Sequence, residues 1–148
     1  MTYREEQRNL FSVPSNYCLA HCISDDYALG AGIAVEFANR YDMKNKLLQQ
    51  RDKNPLFFLT GGHCIRIDNV MNLVTKQHYW EKPTYDSITH ALNDMKRICI
   101  ENNITHIAMP AIGCGLDKLA WSHVASIIKH IFNDTDIDIL VCLYRPTH

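Results

Sequence analysis

The chain has 148 residues, a formal net charge of -1 and 47% hydrophobic residues. This length fits one domain over residues 1–148, and the composition excludes collagen-like, disordered and low-complexity proteins. The balance of 15 basic against 16 acidic residues argues against a protein that coats nucleic acid regardless of sequence, because such proteins carry a large positive excess.

The first half of the chain predicts a buried strand, two helices and then three short strands. Residues 17–23 (YCLAHCI) form an apolar run of strand length. Residues 33–41 carry apolar side chains at helical spacing, and residues 44–53 are expected to continue as helix. The three later strands are predicted over residues 56–60, 64–67 and 70–75, with a turn at Gly61 and Gly62 between the first two.

The second half of the chain alternates helices with strands. The clearest helix spans residues 84–101, with Thr84 as the predicted N-cap. A strand over 105–109, a helix over 119–132 and a strand over 137–144 follow. This alternation predicts an α/β fold with parallel strands, and the hairpin-like middle adds antiparallel pairing, so we expect a mixed sheet.

The compartment and partners follow from what the sequence lacks. The segment MTYREEQRNL has no apolar stretch after its charged residues, so it does not resemble a secretory signal. The longest apolar runs are too short to span a bilayer. We therefore expect a cytoplasmic protein, or a nuclear one if the source is eukaryotic, that is monomeric and has no membrane partner. Scattered cysteines, mostly within apolar stretches, are expected to be reduced and buried, with no metal site among them.

All six glycines fall in close pairs, and two of these pairs have the same surroundings. Gly30 with Gly32, and Gly113 with Gly115, each follow an apolar strand and precede a helix. A helix start offers backbone N–H groups and the positive end of a dipole, for which phosphate is the natural ligand. Two such loops in a small domain predict the two sides of one cleft that holds a diphosphate.

The sequence around the two loops resembles the macrodomain family. Residues 19–24 (LAHCIS) and 30–37 (GAGIAVEF) are similar to its first ligand loop, and residues 109–117 (MPAIGCGLD) to its second. Residues 82–85 (KPTY) match as well. The similarity covers nearly the whole chain, and it is closest to one branch, the terminal ADP-ribose protein glycohydrolases and the related DNA ADP-ribosyl glycohydrolase antitoxins.

The resemblance implies a fold and a ligand. The fold is α/β, a macrodomain-like three-layer α/β/α sandwich with a mixed sheet, and the ligand is ADP-ribose, bound in a cleft above the sheet without a cofactor or metal. The residues implied to bind ADP-ribose are Asn9, Leu10, His21, Ser24, Gly30, Ala31, Gly32, Ile33, Ala34, Pro110, Ile112, Gly113, Cys114, Gly115 and Leu116.

The resemblance also implies two catalytic residues. In this branch a lysine at the end of the strand before the KPTY segment is the nucleophile, and the matching residue is Lys76. An aspartate after the second loop assists it, and the matching residue is Asp117. A neutral lysine amine can attack C1'' of the distal ribose, and a nearby carboxylate can accept a proton.

One position departs from the family pattern. An aspartate near the amino terminus accepts a hydrogen bond from the adenine amine in the family, and Asn9 stands at the matching position. An asparagine carbonyl accepts a hydrogen bond without a charge, so we expect weaker adenine recognition. Asn9 is alternatively an ordinary turn residue.

The residues implied by the resemblance are compatible with three functions. The first is an ADP-ribosyl hydrolase that removes ADP-ribose from acidic protein side chains, from DNA bases or from O-acyl-ADP-ribose. The alternatives are a reader that binds ADP-ribose without cleaving it and an ADP-ribose-1''-phosphate phosphatase. Retention of Lys76 and Asp117 favours the hydrolase. Tyr79, Trp80 and Trp121 are expected to serve in packing rather than in base stacking.

Overall fold

A six-stranded mixed sheet forms the centre of the molecule, and the computed structural model describes residues 1–53, 61–114 and 119–143. The strands are β1 (Thr2–Glu6), β2 (Cys18–Ser24), β3 (His63–Ile67), β4 (Val70–Lys76), β5 (His106–Met109) and β6 (Asp138–Cys142). They lie in the order β1-β6-β5-β2-β4-β3. Strand β3 runs antiparallel to β4, and the other paired strands run parallel. The carboxyl ends of β2, β4 and β5 therefore meet at one edge of the sheet.

Helices cover both faces of this sheet. They are α1 (Ile33–Tyr41), α2 (Met43–Lys53), α3 (Tyr85–Glu101) and α4 (Trp121–Phe132), with a short 3-10 helix over Leu10–Ser12. Along β2, Leu19 and Ile23 pack in the cluster formed with α1 and α2, whereas Cys18 and Ala20 pack in the cluster formed with α3 and α4. Successive side chains of a strand point to opposite faces, so β2 serves both cores. The predicted three-layer α/β/α sandwich with a mixed sheet is confirmed.

Helix α3 begins where the sequence predicts. The Thr84 hydroxyl accepts a hydrogen bond from the Ser87 N–H (2.9 Å), and the Ser87 hydroxyl accepts one from the Thr84 N–H (2.9 Å). This reciprocal pair is a capping box, which satisfies two backbone donors that a helix start otherwise leaves without partners.

The amino-terminal strand β1 was not predicted from the sequence. Its residues, TYREE, are exposed or half-buried, so no apolar run marks them. The strand lies at the edge of the sheet and pairs in parallel with β6. The strand is stabilised by this pairing with a distant segment, so the local residue preferences of Thr2–Glu6 do not predict it.

Gly61 and Gly62 have a packing role that the sequence did not reveal. The predicted strand over residues 56–60 lies outside the described residues, so a turn between it and β3 stays a prediction. A Cβ at Gly62 would collide with the carbonyl oxygen of Ser87. Glycine therefore allows the chain entering β3 to approach α3 closely. The hairpin that the structure describes joins β3 to β4.

Four cysteines are buried thiols, in agreement with the prediction. Burial raises the pKa of Cys99 to about 12 and raises that of Cys64 as well. These thiols are therefore protonated and unreactive at neutral pH. The four are Cys18, Cys64, Cys99 and Cys142.

Candidate functional site

A cleft opens at the carboxyl edge of the sheet, between the segments that follow β2, β4 and β5. It consists of two adjoining cavities of about 460 and 410 Å³. We call it the loop cleft. Both cavities are lined by Cys22, Ile23, Ala31, Ala34, Lys76 and Tyr79.

The first glycine loop brings a helix start to the cleft. Helix α1 begins at Ile33 after Gly32, which has φ 61° and ψ −147° and provides no side-chain cap. A side chain is strained at this positive φ, so glycine suits the position. Gly32, Ile33 and Ala34 line the cleft. The positive end of the α1 dipole therefore borders the cavity, which is an arrangement that favours an anion.

The second glycine loop forms the opposite side of the cleft. Pro110, Ile112 and Gly113 line it directly after β5. Gly113 has φ 75°, and its carbonyl oxygen accepts a hydrogen bond from the Leu119 N–H (2.9 Å). This bond joins Gly113 to the residues that lead into α4. Gly115, Leu116 and Asp117 lie outside the described residues.

The start of α4 is held by a tyrosine from α3. The N-cap residue Ala120 has no side-chain cap, and its N–H donates to the Tyr85 hydroxyl (3.1 Å). The Tyr85 ring packs on His123 with centroids 4.1 Å apart. Tyr85 is the last residue of the KPTY segment, and it supports the start of α4 without lining the cleft.

Lys76 lies between the two glycine loops. It is the last residue of β4, half-buried, and it lines both cavities of the cleft. Its backbone pairs with Ser24 across an irregularity in β2, and its carbonyl oxygen accepts from the Asp25 N–H (2.9 Å). The strand end that carries Lys76 is thus fixed to the segment that leads into the first loop.

Asp26, which the sequence analysis missed, ties the same two segments together. One carboxylate oxygen accepts from the Ser24 hydroxyl (2.5 Å) and the Ala28 N–H (3.2 Å), and the other accepts from the Tyr79 N–H (2.9 Å). Although partial burial acts in the opposite direction, these hydrogen bonds lower the pKa of Asp26. The only sequence signal was an acidic residue shortly after a strand, which is typical of many loop turns.

The residues after Lys76 form an exposed aromatic surface at the rim of the cleft. Trp80 is 67% exposed and Tyr79 is 63% exposed. The His78 and Trp80 rings stack with centroids 4.5 Å apart and planes 8° apart, and Tyr79 meets Trp80 edge-on at 5.1 Å. We call these three residues the aromatic wall. Tyr79 and Trp80 were expected to serve in core and surface packing; neither lies in the core, and both pack on neighbouring rings at the surface. Trp121 is half-buried and donates to Glu5 (3.1 Å).

His21 lies in the core rather than in the cleft. Its side chain is 0% exposed and stacks on Phe37 of α1 with centroids 3.8 Å apart. The Asn72 amide donates to the Ile65 carbonyl oxygen (3.1 Å), which leaves the Asn72 Oδ1 as acceptor for the His21 Nε2–H (2.7 Å). Burial lowers the pKa of His21 to about 4. The structure thus gives His21 a place behind α1, supporting the helix whose start borders the cleft.

The adenine candidates also lie apart from the cavities of the cleft. Asn9 Oδ1 accepts from the Phe11 N–H (2.9 Å) and caps the short 3-10 helix. Leu10 is 2% exposed and lines a separate cavity of about 510 Å³ with Leu19 and Val70, which lie near the starts of β2 and β4. Neither Asn9 nor Leu10 lines the loop cleft.

The structure brings most of the predicted site residues together. Cys114 donates from Sγ to the Ile112 carbonyl oxygen (3.3 Å) and does not line the cleft. The predicted residues that do line it are Ser24, Gly30, Ala31, Gly32, Ile33, Ala34, Lys76, Pro110, Ile112 and Gly113.

Two further properties concern the part of the chain that the structure describes. None of its helices combines the length and the apolar character needed to cross a membrane. Its His, Cys, Asp and Glu side chains form no group of three or more arranged to hold a metal ion.

Comparison with known proteins identifies the class of protein that this fold and cleft define. The Macro domain family model matches residues 28–128, and the chain belongs to this family. The chain is 40% identical over 135 residues to the human ADP-ribose glycohydrolase OARD1, covering 90% of this chain and 86% of that protein. The resemblance inferred from the glycine loops is thereby confirmed.

Solved structures agree on the fold. The macrodomain of Mycobacterium tuberculosis DarG superposes with a TM-score of 0.83 at 22% identity, covering 99% of each chain. The structure of Thermosipho africanus DarTG in complex with ADP-ribose gives a TM-score of 0.77 at 19% identity, covering 98% of this chain and 42% of that one. At these identities the likeness concerns the fold alone.

Proposed function

We propose that the protein is an ADP-ribosyl hydrolase that uses Lys76 as its nucleophile. The observation that carries the proposal is the position of Lys76 in the loop cleft, where it lines both cavities between the starts of the two glycine loops. The 40% identity to a protein named as an ADP-ribose glycohydrolase supports the same activity.

The two glycine loops are proposed to bind the diphosphate of ADP-ribose. The uncapped start of α1 supplies backbone donors and a favourable dipole on one side. The segment from Pro110 to Gly113 supplies backbone on the other side. Gly32 and Gly113 both adopt a positive φ, a conformation that glycine takes without strain, and a Cβ at Gly113 would also collide with Ile88.

The distal ribose then lies beside Lys76, and the reaction proceeds in two displacements. The neutral Lys76 amine attacks C1'', a C–N bond forms, and the bond from C1'' to the acceptor breaks, with its electron pair leaving on the acceptor. The amine loses a proton. Water next attacks C1'', the C–N bond breaks, and a proton returns to the amine. The products are free ADP-ribose and the unmodified acceptor.

Asp117 is proposed to accept the proton from the Lys76 amine or from the attacking water. The residue lies outside the described residues, so its role depends on the resemblance. The hydrogen bond from Leu119 to Gly113 brings the chain on either side of residues 115–118 together near the cleft, which is compatible with this assignment.

Adenine is proposed to be bound weakly. The Asn9 carboxamide already accepts the Phe11 N–H, and it lacks the charge that strengthens a hydrogen bond from the adenine amine. Most of the affinity then comes from the diphosphate and the distal ribose.

A release assay on defined substrates tests the proposal. The purified protein is incubated with glutamate-modified protein, thymidine-modified DNA, O-acyl-ADP-ribose and ADP-ribose-1''-phosphate, while calorimetry measures ADP-ribose affinity. We expect release of ADP-ribose from at least one of the first three substrates. Binding of ADP-ribose without release from any substrate would indicate a reader, and turnover of only the phosphate ester would indicate a phosphatase.

A further inference from the structure

The aromatic wall lies beside the position of the acceptor, the group to which ADP-ribose is linked through C1''. Under the proposed function, Lys76 attacks the carbon that carries the acceptor, so the acceptor lies beside Lys76. Trp80 and Tyr79 line the same cavity as Lys76. An aromatic surface this exposed has little part in the core, whose buried residues lie elsewhere.

We infer that Trp80, supported by His78, is a specificity-determining residue that stacks on the acceptor base when ADP-ribose is linked to a nucleobase. The inference rests on the proposed hydrolase function and names the acceptor that this cleft favours. The indole and imidazole planes differ by 8°, so His78 covers one side of Trp80. The 67% exposure of Trp80 leaves the remainder of the indole accessible.

The wall is arranged before substrate binds. The Glu81 carboxylate accepts from the His78 N–H (2.6 Å) and contacts the His78 Nδ1 (3.0 Å), which fixes the imidazole that supports Trp80. The Tyr79 N–H is held by Asp26 (2.9 Å). A ring already held in its binding position loses less conformational freedom when it binds a ligand, so stacking is stronger.

A nucleobase suits this wall better than an acidic side chain does. Every base has a π face on which an aromatic residue can stack, whereas a glutamate or aspartate acceptor has none. Glu81 lines the same cavity as Trp80. Lys76 and Lys82 line that cavity as well, so its charge does not separate the two acceptors, and the preference for a base depends on stacking. The base must be unstacked to reach the wall, so the expected substrate is a single strand or an extruded nucleotide.

The test compares two substrates in parallel. One is a single-stranded oligonucleotide with ADP-ribose on a thymidine base, and the other is a peptide with ADP-ribose on a glutamate. We measure kcat/KM on both for the wild type, Trp80→Ala and Trp80→Phe. Ile100→Ala is the matched control, because Ile100 is an exposed apolar residue (59%) on α3.

We expect Trp80→Ala to lower the ratio of kcat/KM on the oligonucleotide to kcat/KM on the peptide by about 10-fold, which corresponds to about 1.4 kcal/mol. Trp80→Phe should recover most of this ratio, and Ile100→Ala should leave it unchanged. The affinity of Trp80→Ala for free ADP-ribose, measured by calorimetry, should stay within about twofold of the wild type, because the free product lacks a base at C1''.

Each other outcome overturns the inference. Equal losses on both substrates would make Trp80 a general part of the cleft, and a larger loss on the peptide would indicate a protein acceptor. No loss on either substrate would show that the wall does not contact the acceptor. A wild type inactive on both substrates would instead overturn the proposed function itself.

Discussion

Asp26 and Tyr79 lie 53 residues apart in the sequence and are joined by a hydrogen bond of 2.9 Å from the Tyr79 N–H to the Asp26 carboxylate. The bond links the segment after β2 to the segment after β4. Because Lys76 lies at the start of the second segment, the position of the proposed nucleophile depends on a contact between two loops.

Replacing Asp26 should therefore affect both stability and the cleft. Asp26→Asn keeps only one acceptor oxygen, so either the Tyr79 N–H or the Ala28 N–H loses its acceptor, and we expect the free energy of unfolding to fall by about 2 kcal/mol. ADP-ribose affinity should fall several-fold as the Lys76 segment loosens. Chemical denaturation and calorimetry measure the two effects.

The pH dependence of the stability loss and a control variant both test the role of Asp26. The lowered pKa of Asp26 means that its stabilisation is present above the unfolded pKa of about 3.9 and is lost only as pH falls through the folded pKa. The stability difference should therefore be constant between pH 8 and pH 5. Asp134→Asn removes an exposed pair with Lys96 (2.8 Å) and should lower stability much less than Asp26→Asn, because water screens exposed pairs. An equal cost for both variants would contradict the role of Asp26.

His21 should make the protein less stable in mild acid. Its pKa of about 4 in the folded protein lies below the reference value of about 6.5, so the unfolded chain binds more protons between these values. Stability should thus be complete above pH 6.5 and decline as pH falls, by about 2 kcal/mol at pH 5. The measurement is the free energy of unfolding from pH 7.5 to pH 5.

Two substitutions distinguish the contribution of His21 to this loss of stability from that of other groups that titrate in acid. His21→Phe keeps a flat ring against Phe37 but does not titrate, so the decline should be flatter even though the absolute stability is lower. His130→Gln, at an exposed position on α4, should leave the slope as in the wild type. The account of His21 fails if His21→Phe keeps the full decline.

Tyr85 should support ligand binding without touching the ligand. In Tyr85→Phe the Ala120 N–H loses its acceptor at the start of α4, so we expect a loss of about 1 kcal/mol in stability and a several-fold weaker affinity for ADP-ribose. Tyr17→Phe is the control, because its hydroxyl donates to Asp138 (2.8 Å) at the opposite edge of the sheet. Tyr17→Phe should lower stability without changing ADP-ribose affinity, and equal affinities for the two variants would contradict the role of Tyr85.

The sequence predicted those elements whose signal is local. Helix α1 and helix α3 carry apolar stripes and clear starts, so their bounds could be predicted closely. Edge strand β1 could not, because its residues are polar and its pairing partner β6 lies at the other end of the chain.

The features of the site also divide into those that local sequence predicts and those that it does not. The glycine loops could be predicted because a strand, two glycines and a helix are consecutive. The Asp26 network and the aromatic wall depend on how separate loops meet, which no local pattern encodes. The burial of His21 could have been predicted, because side chains alternate along a strand and His21 therefore shares the α1 face of β2 with Leu19 and Ile23.

The role of Lys76 as nucleophile is tested by identifying the residue that becomes covalently attached to ADP-ribose during turnover. Wild type, Lys76→Ala and Lys82→Ala are denatured rapidly during turnover, and any covalent adduct with ADP-ribose is mapped by mass spectrometry. Lys82 is the matched control, because it lines the same cavity. We expect an adduct on Lys76 in the wild type and in Lys82→Ala, and neither adduct nor turnover in Lys76→Ala. Full turnover by Lys76→Ala would contradict this role of Lys76.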